Sequence, residues 1–67
     1  MAKVTLAGAR VSAGFSQEEL AKKLGVTRQT VTRWESGECK IRTVNLFAFC
    51  QATGFEPADI LLPTNIA

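Results

Sequence analysis

The chain has 67 residues, 46% of them hydrophobic, and a formal net charge of +2. That is one domain, small enough to bury only about 60% of the surface its unfolded form exposes, yet too apolar for a disordered tail. It has no histidine and no tyrosine, and no Gly-rich phosphate loop, which argues against an enzyme; the mild positive charge by itself names no polyanionic partner.

Residues 1–5 read as a short frayed lead-in, and a first helix runs from about residue 4 to residue 13. Leu6, Ala9, Arg10 and Ala13 recur at three- and four-residue spacing and form one stripe. Arg10 is out of place there. It is either an exposed arginine at the edge of a small-residue face or one half of an ion pair. Gly14 ends this helix.

Residues 16–37 are the most patterned stretch. Ser16 is an N-cap, Glu19 completes a capping box, and Phe15 with Leu20 forms a hydrophobic staple. A second helix follows over 17–24, with Leu20, Ala21 and Leu24 inward and Lys22 and Lys23 outward. Gly25 supplies the left-handed residue that ends it. Eleven residues after the first cap the pattern returns, with Thr27 as cap and Val26 and Val31 as staple. The third helix covers 28–36 and stops at Gly37. Val31 and Trp34 share its inner side, where a large aromatic at helical spacing is core rather than a base-stacking platform. Its other side carries Arg28, Gln29, Thr32, Arg33 and Ser36. Arg and Gln have the forked donors and acceptors that match guanine and adenine edges in the major groove. Two helices about one tight turn make a helix-turn-helix, whose second helix is the candidate reader.

The run SQEELAKKLGVTRQTVTRWESG resembles the phage Cro and lambda-type repressor class, the XRE-type helix-turn-helix. The resemblance extends over roughly residues 6–62 and rests on Ser16-Gln17, Leu20-Ala21, Gly25-Val26-Thr27, Val31 and Trp34-Glu35-x-Gly37 in one register. It implies an all-α, compact five-helix lambda-repressor-like domain, a salt bridge between Arg10 and Glu35, and a phosphate contact from Gln17 at the start of the second helix. It also implies backbone contacts in the loop after the third helix, here Lys40, Arg42 and Thr43, which Asn45 could join. The chain departs from the pattern where Ile41 replaces a common proline and Arg42 stands in place of a small cap.

Residues 38–43 form that loop, with Cys39 exposed. A fourth helix runs from residue 43 or 44 to residue 53, with Leu46, Phe49, Cys50 and Thr53 facing the core and Phe47 to one side. After Gly54, a short last helix starts at Pro57, which suits a first helical position. Asp59 favours that positive end, and Ile60 and Leu61 plug the core. Pro63 stops the helix, and 63–67 is a flexible tail to a core of 6–62. Cys39 and Cys50 are too few for a metal site. With no signal sequence in view, they are expected as free thiols in the cytoplasm. No apolar run reaches the roughly 20 residues of a membrane span.

The resulting expectation is a sequence-specific regulator of transcription of the phage or prophage repressor type, with no cofactor. DNA-binding residues are Gln17, Thr27, Arg28, Gln29, Thr32, Arg33, Lys40, Arg42 and Thr43. The partner is double-stranded DNA carrying a palindromic operator, bound by a weak homodimer joined through Phe55, Glu56, Pro57 and Ala58. The alternative is an antitoxin or adaptor of the same fold whose main partner is a protein. A protein-binding face would more often offer aromatic and aliphatic side chains than Arg28, Gln29 and Arg33.

Overall fold

Short polar side chains and glycines mark the helix boundaries. The computed structural model describes residues 3–62, in the order β1 (Val4–Thr5), α1 (Leu6–Ser12), α2 (Gln17–Leu24), α3 (Arg28–Ser36), α4 (Thr43–Thr53), a 3-10 turn (Pro57–Asp59) and β2 (Ile60–Leu61). Thr5 caps α1 by accepting from the Gly8 N–H. Ser16 and Glu19 close both halves of the capping box on α2. Thr27 caps α3 by accepting from the Thr30 N–H. Gly25 (φ +74°) and Gly37 (φ +86°) end α2 and α3 in the left-handed conformation that side chains disfavour.

The core gathers one or two large residues from each helix. Leu6, Leu20, Val31 and Phe49 are the largest fully buried side chains, and Trp34, Cys50 and Ile60 pack with them. Ala9 and Ala21 are buried too, and their small size lets the helix axes approach. Leu24, Val26, Phe15 and Leu46 are partly buried against this cluster. Ile41, in the position where the related pattern has proline, is buried and anchors the loop before α4.

Several expectations need correction. There are four α-helices among the described residues, not five. The segment after α4 turns only once, because Ile60 adopts an extended conformation (φ −97°, ψ 128°) and pairs in parallel with Val4, as Leu61 does with Thr5. Residues 4 and 5 are therefore neither frayed nor helical. Thr5 is extended as the cap, and α1 begins at Leu6 and ends at Ser12. Ala13 is exposed, so the buried stripe of α1 is Leu6 and Ala9. Leu61 is 48% exposed, and only Ile60 plugs the core. The tail at 63–67 and the stop at Pro63 lie outside the described residues.

Candidate nucleic-acid interface

The polar side of α3 faces solvent without a cover. Arg28, Gln29, Thr32, Arg33 and Ser36 are all exposed, while Val31 and Trp34 are buried beneath them. At 1.5 Å per residue the nine residues of α3 span about 14 Å. A major groove roughly 12 Å wide admits such a rod. Arg28 and Thr32 lie one turn apart, as do Gln29 and Arg33, so each pair shares a strip of the exposed side.

The rod is held at both ends. At its start Thr27 is exposed, and its hydroxyl lies 2.8 Å from that of Thr30. At its end, Ser36 Oγ donates to the Arg33 carbonyl and accepts from the Glu38 N–H, and the Cys39 N–H also returns to the Arg33 carbonyl. Arg33 Nε sits 3.8 Å from Glu38 Oε2, with both side chains well exposed. A pair of that kind is worth at most about 1 kcal/mol, so Arg33 is readily given up to another acceptor.

Behind α3, Arg10 and Glu35 form the ion pair that one reading of the sequence held. Arg10 Nε donates to Glu35 Oε2 at 2.6 Å and Nη2 donates to Oε1 at 3.4 Å. Arg10 Nη1 also donates to the Phe15 carbonyl. The two side chains are 13% and 10% exposed, which makes this a largely desolvated pair. Gln17 Nε2 donates to the same carboxylate at 2.9 Å, and Gln17 Oε1 accepts from Thr32 Oγ1 at 3.2 Å. The Gln17 amide is thus engaged through its oxygen and one of its two N–H groups. At this end α2 also offers its backbone outward, since the N–H groups of a first helical turn have no carbonyl within the helix. An open groove of about 480 Å³ lies there, lined by Arg10, Ser16, Gln17, Glu18 and Arg28. Its arginines favour an anion, and Glu18 opposes one.

The other expected contact residues flank this surface. Lys40, Arg42 and Thr43 are exposed, and Asn45 is half-buried. Arg42 is the N-cap of α4 and makes no side-chain capping bond. The link from α2 to Thr32 was not among the expectations. It joins residues 15 positions apart, as the Gln17–Glu35 bond joins residues 18 positions apart, and only the crossing of α2 over α3 brings them together.

A family model for helix-turn-helix domains matches residues 6–60, most of the chain. The chain belongs to the XRE-type, lambda-repressor-like helix-turn-helix family. Comparison with curated proteins and with solved structures found no match. Helix-turn-helix domains of this family are DNA-binding transcriptional regulators, typically without enzymatic activity, and double-stranded DNA is the partner that membership supports. In this helix-turn-helix domain α2 and α3 are the paired helices, and α3 is the one with the open polar side.

Both cysteines are free, Cys39 exposed and Cys50 buried. Burial, and then the charge of Asp59, push the Cys50 thiol above its ordinary value, so it stays protonated and inert near neutrality. Among the described residues no cluster of candidate ligands could hold a metal ion, and no helix is long and apolar enough to cross a membrane.

Proposed function

We propose that this chain is a sequence-specific repressor of phage or prophage type that reads the major groove with α3. The observation that carries the reading is the uncovered row of Arg28, Gln29, Thr32 and Arg33 on a helix fixed from beneath by Trp34. Two arginines suit guanines through O6 and N7, and Gln29 suits an adenine. Thr27, Lys40, Arg42, Thr43 and the start of α2 at Gln17 supply contacts to the sugar-phosphate backbone, which fix register without reading sequence.

One copy offers few base contacts, and operators of this class carry two half-sites bound by a dimer. The self-contact falls on Phe55, Glu56, Pro57 and Ala58. Support comes from an open groove of about 470 Å³ lined by Phe47, Cys50, Gln51, Gly54, Phe55, Glu56 and Pro57. Phe47 (56%) and Val44 (77%) are exposed on α4. The same apolar surface is what an antitoxin or adaptor would use toward a protein partner, which is the second reading.

Selection of bound sequences from a random duplex pool tests the proposal. The expected product is an inverted repeat with half-sites about one helical turn, or 10–10.5 bp, apart. A pool that enriches no motif would overturn it in favour of the protein-binding reading.

A further inference from the structure

The loop after α3 folds back on the last turn of that helix. On a continued helix Arg33 and Glu38 would point about 140° away from each other. Gly37 stops the helix in the left-handed conformation (φ +86°). Ser36 Oγ then donates to the Arg33 carbonyl and accepts from the Glu38 N–H, and the Cys39 N–H donates to the same carbonyl. This reversal sets the Glu38 carboxylate 3.8 Å from Arg33 Nε, with both side chains exposed. Nε lies at the near end of the guanidinium. A carboxylate there leaves the terminal Nη1 and Nη2 for the O6 and N7 of guanine. It also offsets the positive charge. A phosphate contact draws its strength from charge and counterion release, so a neutralised arginine gains little from the DNA backbone. A guanine edge asks for two donors in a fixed fork, and those the arginine keeps. Glu38 thus weakens the contact that any sequence offers and spares the one that guanine offers.

We propose that Glu38 is a positioning residue for Arg33, aiming the guanidinium fork at guanine and withholding its charge from the phosphates. A residue outside the reading helix thereby takes part in specificity. The inference rests on α3 being the base-reading helix. An exposed pair is weak, so Arg33 is steadied without being held back from the groove, and the effect on preference is a few-fold.

The test compares the full chain, Glu38→Gln, Arg33→Ala and the double variant. Each is put through selection from a random duplex pool and a salt titration on a duplex lacking the selected site. The base pair read by Arg33 is the one whose preference is lost in Arg33→Ala. At that pair the unsubstituted chain should favour guanine, and Glu38→Gln should lower the preference about threefold, leaving the other positions unchanged. On the unrelated duplex Glu38→Gln should bind more tightly, with a slope of log affinity against log salt steeper by about 0.9. In the Arg33→Ala background Glu38→Gln should move neither readout. Circular dichroism melting checks that each variant folds. Should Glu38→Gln not fold, Glu38→Ala carries the same expectation. An unchanged guanine preference in the Glu38 variant overturns the proposal, as does an Arg33→Ala variant that alters no base pair. An equal gain on the unrelated duplex in the Arg33→Ala background also overturns it, since Glu38 would then act on DNA directly. These outcomes leave α3 as the reader. A failure of the unsubstituted chain to enrich any motif overturns both.

Discussion

Glu35 and Glu38 lie three residues apart and differ in everything but chemistry. Glu35 is a largely desolvated partner of Arg10 and also holds Gln17. Glu38 is exposed, 3.8 Å from an exposed arginine. Removing one member of a buried pair leaves the other charge unmatched, at a cost of about 3–5 kcal/mol, whereas an exposed pair contributes about 1 kcal/mol at most. Glu35→Ala should therefore lower the melting temperature by more than roughly 10 °C and Glu38→Ala by a few degrees. Equal shifts in thermal melts would contradict this. The pair was visible in the sequence only as two readings of a misplaced arginine, because periodicity puts Arg10 beside Leu6 and Ala9 but says nothing of what lies across from it. The engagement of Gln17 was not visible at all, since no local pattern reports a hydrogen bond between crossing helices.

At the scale of the element, α2 and α3 were legible to the residue. Each carries its start signal and its stop signal within a few positions, as Ser16 and Glu19 do before Gly25 and as Thr27 does before Gly37. The strands were not legible. Two residues are too few to show alternation, and Val4 pairs with Ile60 across nearly the whole described chain. The start of α4 shows a different compromise. Arg42 has the extended backbone of an N-cap (φ −76°, ψ 155°) and no capping side-chain bond. Arg42→Ser should cap α4 and raise stability by about 1 kcal/mol, a gain of about 4–8 °C in a domain of this size. If Arg42 neutralises a phosphate, the same substitution weakens DNA binding and makes the slope of log affinity against log salt shallower by about 0.9. Melting curves and a salt titration read the two effects separately. An unchanged slope would remove Arg42 from the interface.

At the scale of the molecule, the domain measures 27 × 24 × 19 Å and presents two unlike surfaces, the polar side of α3 and the apolar groove beside Phe47. The sequence marked the first through residue type. It marked the second only in part, through residues 55–58 and through Phe47 lying to one side of the core stripe, because helical spacing sets a residue off the stripe without saying what lies over it. If the groove joins two copies, Phe47→Ser should weaken binding to a two-half-site operator by about tenfold or more and leave binding to a single half-site unchanged. Equal losses on both duplexes, measured by titration, would mean that Phe47 supports the fold of one copy and not the contact between two.

The pairing of Val4–Thr5 with Ile60–Leu61 is parallel, and this has a geometric corollary. The backbone crosses the same seam twice in the same sense, like successive windings of a coil. A polypeptide leading into Val4 arrives at one end of the seam, and one continuing past Leu61 leaves from the opposite end. A pull applied in opposite directions at Lys3 and at Leu62 would therefore load the two residue pairs of the seam in shear.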